Sequence, residues 1–189
     1  MHPELPGFRT VELTPKHERA LQRFFEANPE YFLAVNGEPP GPHAAREEIH
    51  SGLPPGFSHT KIWLVGFMDE ADAMVAMANV VSDFLAAGVW HIGLFIVATE
   101  RHGSGDAQAL YRGLEAWARS NGAAWLRLGV VQGNARAERF WERLGFIETR
   151  TRLVDMGQRT NTVRVMIKPL AGGTLEQYLS LVERDRLSV

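Results

Sequence analysis

Cysteine is absent from the 189-residue sequence. Its absence excludes disulfides, thiolate metal sites and a cysteine nucleophile, and it fits a reducing compartment, so we expect a cytoplasmic protein. Histidine indicates no metal site either, because no His-Glu-x-x-His motif occurs and His43, His50 and His59 lie in or near predicted loops without ligand spacing. We therefore expect no bound metal.

A strong net charge and a long apolar run are also lacking. The formal net charge is -2 at pH 7, so no strong field favours nucleic acid or an anionic lipid surface. The longest apolar stretches have the length of a β-strand, and residues 1–10 contain no apolar run of a secretory signal. We expect neither a nucleic-acid partner nor a membrane partner.

The patterns that are present predict one α/β domain over residues 1–189, with a mixed central sheet flanked by helices. Strand patterns cover residues 9–13, 61–68, 73–81, 89–98, 125–131, 147–154 and 162–168. Helix patterns begin after Thr14, near residue 44, near residue 107, after Asn134 and near Thr174. The last helix is expected to dock on the core, and a homodimer through it stays open. Residues 37–55, rich in proline and glycine, are predicted to be a binding loop that contains the short second helix.

The most informative segment is a glycine-rich turn between a predicted buried strand and a helix, His102-Gly103-Ser104-Gly105-Asp106-Ala107. Glycine permits close approach of the backbone to a ligand, and the unpaired amides of a helix N-terminus favour phosphate. An ordinary strand-to-helix connection is the simplest alternative. A dinucleotide fingerprint would need a third glycine where Gln108 stands, and a Walker loop would need Gly-Lys-Ser/Thr.

This turn resembles the [Gln/Arg]-x-x-Gly-x-[Gly/Ala] loop of the GNAT superfamily of N-acetyltransferases. Downstream, the segment from Asn134 to Phe146 resembles that family's Asn-x-x-Ala-x-x-[Leu/Phe]-Tyr-x-x-x-Gly-Phe motif, and together the resemblance covers about residues 89–146. It implies a GNAT-like fold and an acetyl-CoA-dependent N-acetyltransferase. Acetyl-CoA would be the cosubstrate and a primary amine, expected to be a small molecule, the acceptor.

The resemblance also implies which residues hold CoA. The backbone amides of the turn would bind the pyrophosphate, and these belong to His102, Gly103, Ser104, Gly105, Asp106 and Ala107. The backbone of Phe95, Ile96 and Val97 would pair with pantetheine like an extra strand where the sheet splays open. Asn134 would hydrogen-bond the pantetheine arm, and Phe140 would pack against it.

Two residues depart from the family pattern. His102 replaces Gln or Arg, and because most of the phosphate cradle is backbone we expect a weaker or pH-sensitive contact. Trp141 replaces a Tyr that is commonly assigned as the acid for the CoA thiolate, and an indole N–H cannot act as that acid. We expect Trp141 to be a core aromatic. Arg136, Arg139 and Arg143 are expected to form a solvated helix face, with contact to a CoA phosphate as the secondary interpretation.

A base is expected because the attacking amine must lose a proton. Some relatives carry a glutamate in the central strand or the next one, where this chain has His91 and Gly129. Alternation places His91, Phe95 and Val97 on one face, and imidazole has a suitable pKa. His91 is therefore the predicted catalytic base, with a purely structural strand histidine as the equal alternative. Lesser candidates are Ser82, Asp83 and Glu100.

Two other functions stay open. A CoA-binding sensor without catalysis is favoured by Trp141 and by the missing strand carboxylate. A protein acetyltransferase would need an open peptide groove, whereas the loop of residues 37–55 is expected to cap a closed pocket. The sequence itself does not identify the acceptor.

Overall fold

The chain folds around a seven-stranded mixed sheet in a computed structural model that describes residues 3, 5–170 and 172–187. The strand order is β1-β2-β3-β4-β5-β7-β6, and every neighbouring pair is antiparallel except β4 and β5. The strands are β1 (Arg9–Glu12), β2 (Lys61–Met68), β3 (Met74–Ser82), β4 (Val89–Val97), β5 (Trp125–Val131), β6 (Ile147–Met156) and β7 (Arg159–Pro169). The predicted mixed α/β architecture is confirmed.

The boundaries of the single domain stay a prediction. Residues 1, 2, 4, 171, 188 and 189 lie outside the described residues.

Helices cover both faces of this sheet. They are α1 (Glu18–Ala27), α2 (Glu30–Val35), α3 (Ala44–His50), α4 (Asp106–Ser120), α5 (Ala135–Arg143) and α6 (Leu175–Leu181). The sequence patterns did not predict α2. Six residues make fewer than two turns, which is too short for a helical period to be recognised. None of the described helices is long and apolar enough to cross a membrane.

Apolar side chains bury the sheet on both faces. On one face Leu114 and Trp117 of α4 pack with Trp90 of β4. On the other face Phe25 of α1 packs in a separate cluster with Leu94 of β4. The nearly continuous apolar sequence of β4 follows from this double coverage, since neither face of a central strand meets water.

One extra residue interrupts the pairing of β4 with β3. Asn79 pairs with Leu94 and Val80 pairs with Ile92, so Gly93 has no partner and forms a bulge. A bulge shifts the alternation of the side chains by one position. Ile92 lies on the α4 face before the bulge, and Leu94 lies on the α1 face after it.

The bulge corrects the prediction that His91 shares a face with Phe95 and Val97. Phe95 and Val97 pack on the α4 side of the sheet, as do Trp90 and Ile92. His91 lies between Trp90 and Ile92 in sequence, so its side chain points to the opposite side. The prediction was wrong because simple alternation assumes an uninterrupted strand.

The sheet opens beside the bulge. β4 and β5 pair only between Val89–Ile92 and Trp125–Leu128. From residue 93 onwards the edge of β4 that faces β5 has no neighbouring strand, while β5 continues to pair with β7 as far as Val131. The predicted splay is therefore present, and it leaves a wedge between the two parallel strands.

A buried ion pair holds the C-terminal segment onto β5. Arg127 Nε and Nη2 donate to Asp185 Oδ2 and Oδ1 at 2.7 and 3.0 Å, and the Tyr178 hydroxyl of α6 donates to the same carboxylate. Burial alone would raise the pKa of Asp185, but the hydrogen bonds and charge of Arg127 hold it below its usual value. The predicted docking of the last helix on the core is confirmed, whereas the homodimer and the cytoplasmic location stay predictions.

Candidate active site

A cleft of about 760 Å³ lies between the end of β4 and helix α5, on the open edge of β4. It brings together most of the residues predicted from the sequence to hold CoA, namely Phe95, Ile96, Val97, His102, Gly103, Gly105, Ala107, Asn134 and Phe140. Ser104 and Asp106 belong to the same turn but do not line the cleft. Two segments far apart in sequence thus form one elongated surface.

The glycine turn exposes backbone amides to this cleft. Gly103 and Gly105 have φ of +86° and +97°, a conformation that favours glycine, and a Cβ at either position would meet nothing within 4 Å. Among the described residues, the amides of Gly103, Ser104, Gly105 and Ala107 have no hydrogen-bond partner. The predicted set of six amides is corrected to these four, because the amides of His102 and Asp106 donate to Thr99 O and Ser104 Oγ. With the N-terminus of α4 directly behind them, these amides can bind an anion.

The open edge of β4 offers a second set of backbone groups. Ala98 donates to Val75 of β3 at 2.8 Å, so by the alternation of an antiparallel ladder Ile96 also faces β3, whereas Phe95 and Val97 face the cleft. The predicted three-residue pairing is corrected to two residues, because the backbone of Ile96 is used inside the sheet.

The imidazole of His102 turns inward to β4. Its Nε2 donates to the carbonyl oxygen of Val97 at 2.9 Å, and its Nδ1 is buried without a hydrogen-bond partner among the described residues. His102 therefore ties the glycine turn to the end of the strand, and its Nε2 is already hydrogen-bonded to the protein.

Helix α5 closes the other side of the cleft. Asn134 Oδ1 caps this helix by accepting from the amide of Ala137 at 3.2 Å, and the helix begins after Asn134 as its sequence pattern predicts. Phe140 stacks on Phe95 with ring centroids 6.3 Å apart. Trp141 is only 8% exposed and packs in the α4-side core, which confirms its expected place there.

Three arginines give the mouth of the cleft a positive charge. Arg136, Arg139 and Arg143 are exposed, yet all three line the cleft. The sequence took a solvated face as the first interpretation and a phosphate contact as the second. Their position along the cleft supports the second, because arginine binds phosphate oxygens readily.

A second cavity of about 580 Å³ lies on the α1 side of β4. Gly93 and Leu94 of β4 form its floor, directly before the residues that line the cleft, and Tyr31 of α2 lines both spaces. The turn between β6 and β7 closes its outer side, since the Gln158 amide donates to Asn36 O at 3.0 Å and Asn161 Nδ2 donates to Val35 O at 2.7 Å.

Sequence reasoning missed a polar pair in this second cavity. Asn79 Nδ2 donates to Glu48 Oε1 at 2.6 Å. Burial raises the pKa of Glu48, and the hydrogen bond from Asn79 offsets this only in part. Asn79 itself could have indicated this pair, because it is the single polar residue within the apolar run of β3 and a polar side chain in a buried strand needs a partner. Glu48 itself was hidden in the loop predicted over residues 37–55.

Tyr31 keeps its phenolic proton in this setting. Burial, and then the negative charge of Glu48, raise the pKa of Tyr31 above its usual value. The hydroxyl can therefore donate a hydrogen bond at neutral pH, but it is too weak an acid to give its proton up to a thiolate.

The predicted base, His91, lies in neither cavity. Its ring stacks on Phe84 with centroids 4.6 Å apart, and its Nδ1 lies 3.2 Å from Arg127 O. Burial, and then the charge of Arg127, lower the pKa of His91 to about 3. An imidazole with that pKa binds a proton too weakly to serve as a base for an alkylammonium, so the structure argues against this role.

The lesser candidates also have structural partners or lie at the surface. Asp83 accepts hydrogen bonds from Gly88 N and Thr60 Oγ1, and Ser82 donates to Lys61 O. Glu100 is exposed. Within the described part of the chain, no group of three or more histidine, aspartate or glutamate residues is placed to hold a metal ion.

Comparison with solved structures places this fold among acetyltransferases. An acetyltransferase from Thermus thermophilus superposes with a TM-score of 0.62 at 23% identity, over 90% of this chain and 100% of that chain. A spermidine N-acetyltransferase from Vibrio cholerae, in complex with CoA and spermine, gives 0.66 at 16% identity, over 86% and 95%. An N-acetyltransferase from Kribbella flavida gives 0.63 at 20% identity, over 87% and 98%.

Sequence comparison extends this result from the fold to the family. No curated protein matches the chain significantly. The model of the Acetyltransferase (GNAT) family, however, matches residues 14–146, a span that holds the glycine turn, the open edge of β4 and helix α5. The match covers most of the chain, and we conclude that this protein belongs to the GNAT family and is an N-acetyltransferase.

Proposed function

We propose that this enzyme transfers the acetyl group of acetyl-CoA to the primary amine of a small molecule. The observation that carries the proposal is the meeting of two cavities at β4. A cleft with phosphate-binding features lies on one side, and an acidic cavity lies on the other. Tyr31 lines both, so a donor and an acceptor bound in the two spaces would meet beside it.

Acetyl-CoA fits the cleft through groups that recognise its successive parts. The amides of Gly103, Ser104 and Gly105 suit the pyrophosphate, and the arginines of α5 suit the further negative charge. Pantetheine is an amide-bearing chain, so it can pair with the backbone of Phe95 and Val97 as a strand would. The acetyl end then points along β4 towards the bulge at Gly93.

The acceptor cavity favours a small molecule over a peptide. A peptide needs a groove that is open at both ends, whereas the turn between β6 and β7 is bonded to the end of α2 across this cavity. The volume of about 580 Å³ is in the range of small-ligand sites. The Vibrio cholerae neighbour acts on spermidine, which is consistent with a small amine here.

Tyr31 is proposed to stabilise the negative charge that develops during transfer. It lines both cavities, and its hydroxyl keeps a proton that it can donate in a hydrogen bond. We assign the proton that finally reaches the CoA sulfur to the attacking nitrogen, since Tyr31 is too weak an acid to supply it.

Turnover with a panel of acceptors tests the proposed function directly. We expect release of the free CoA thiol with at least one small amine from a set of alkylamines, polyamines, aminoglycosides, amino acids and peptides. Acetyl-CoA binding without turnover on any acceptor would instead favour the CoA-binding sensor. Turnover confined to peptides would favour a protein acetyltransferase.

Gly105→Val tests the phosphate site. The side chain would stand among the amides of the glycine turn, and we expect the affinity for acetyl-CoA, measured by calorimetry, to fall at least about tenfold. Gly122→Val is the matched control, since Gly122 has φ of +99°, also has open space at its Cβ, and lies outside the cleft. Both variants should lose similar stability, about 1–3 kcal/mol. Equal affinity in the two variants would contradict this site.

Tyr31→Phe tests the hydrogen bond to the developing charge. We expect kcat to fall on the order of 10²-fold, the usual effect of removing one such donor, while the affinity for acetyl-CoA is retained. Tyr111→Phe is the control, because Tyr111 is buried in the α4-side core and lines neither cavity. If Tyr31→Phe turns over at the wild-type rate, Tyr31 has no part in the chemistry.

A further inference from the structure

We propose that Glu48 and Asn79 form the site that binds and deprotonates the acceptor, and that this acceptor is a primary alkylammonium ion. Glu48 removes the proton, and Asn79 Oδ1 accepts a second N–H of the same nitrogen. The proposal rests on the proposed acetyltransferase function and assigns its acceptor site.

Two oxygen acceptors come together beside the bulge. The amide nitrogen of Asn79 is used by Glu48 at 2.6 Å, so the other end of the amide, Oδ1, is turned away from that carboxylate. Oδ1 is buried and has no hydrogen-bond partner among the described residues. A buried acceptor without a donor is costly, and a bound N–H would satisfy it.

Gly93 keeps the space in front of this oxygen open. A Cβ at position 93 would lie 3.7 Å from both Oδ1 and Cγ of Asn79, so any larger side chain would fill the space. Gly93 lies two residues before Phe95, the first residue of β4 that lines the CoA cleft. An amine held by Glu48 and Asn79 therefore lies on the acceptor side of the donor's expected path.

The charge of the cavity selects a cation. Glu48 is faced by Tyr31 of α2, by Glu38 of the loop after α2 and by Glu47 of its own helix, while β3 and β4 contribute only Asn79, Gly93 and Leu94. Among the described residues that line the cavity there is no lysine, arginine or histidine. A cationic ligand would supply the missing positive charge, and an ammonium group has three donors for the oxygens present.

Glu48 also has the properties of a base. Its raised pKa makes it a better proton acceptor than an ordinary exposed carboxylate. It is half-buried, so its carboxylate is shielded from water yet can exchange a proton through the mouth of the cavity. His91, with its lowered pKa and its place outside both cavities, has neither property.

The transfer step balances with these groups. The Glu48 carboxylate takes one proton from R–NH₃⁺, which leaves a lone pair on nitrogen. That lone pair forms the C–N bond to the acetyl carbon, and the C–S bond breaks with its electron pair on the CoA sulfur. A second proton passes from nitrogen to the thiolate, giving the acetamide and the CoA thiol. Glu48 then releases its proton to solvent.

Glu48→Gln tests this assignment with butylamine as the probe. The variant keeps the shape and an oxygen for Asn79 but cannot take a proton, so kcat/KM for butylamine should fall about 10²–10⁴-fold at neutral pH while the affinity for acetyl-CoA is unchanged. The deficit should shrink as the pH approaches the pKa of butylamine. Wild-type kcat/KM should also fall at acid pH as Glu48 becomes protonated, with a midpoint above the usual carboxyl value, and the variant should lack that limb.

Two further variants separate binding from proton removal. Asn79→Leu removes the second acceptor and should raise KM for butylamine about tenfold, with the acid limb retained. Glu176→Gln removes the same charge from an exposed position at the start of α6 and should leave turnover unchanged.

A binding measurement keeps this inference distinct from the proposed function. Calorimetry of butylammonium with the CoA complex should show binding that Glu48→Gln weakens about 10- to 100-fold. If the wild type binds butylammonium in this way but acetylates no amine, the proposed function fails and the amine site stands. If the wild type acetylates butylamine and Glu48→Gln matches it in both rate and pH profile, the assignment of Glu48 is wrong. Absence of butylammonium binding to the wild type would also overturn the amine site.

Discussion

The extra residue in β4 is the constraint on which the two cavities depend. Up to Ile92 the strand pairs on both edges, with β3 and with β5, and from Leu94 onwards it pairs with β3 alone. Backbone groups on the open edge then need a partner, because an unpaired strand edge is a template for another extended chain. In the function that we propose, an extended pantetheine arm would be this partner, joining the sheet where β5 has turned away.

The same bulge exchanges the faces on which the side chains of β4 lie. Before the bulge, the side chain of His91 points away from the α4 side. After it, the side chains of Phe95 and Val97 point towards that side. The bulged residue itself carries no side chain, so the α1 side of the strand keeps room for a ligand next to Asn79. This one irregularity therefore lies where the cleft and the second cavity approach each other, and Tyr31 lines both.

Features that depend on residues close together in the chain could be predicted from the sequence. The glycine turn, the cap at Asn134 and the core position of Trp141 depend on local geometry and helical spacing, and the structure has all three. The features that could not be predicted depend on residues distant in sequence. The bulge is set by the register with β3, and the pairing of Glu48 with Asn79 spans 31 residues. His91 looked suitable only because an isolated imidazole has a useful pKa, and its burial beside Arg127 removes that property.

Residue-resolved amide hydrogen exchange, with and without acetyl-CoA, tests most directly the claim that the open edge of β4 and the glycine turn hold the donor. Exchange at Phe95, Val97, Gly103 and Gly105 should slow when acetyl-CoA binds, because their amides gain partners. Exchange at Ile96, whose amide already faces β3, should change far less. Binding of acetyl-CoA that leaves Phe95 and Val97 unprotected would contradict this account of the site.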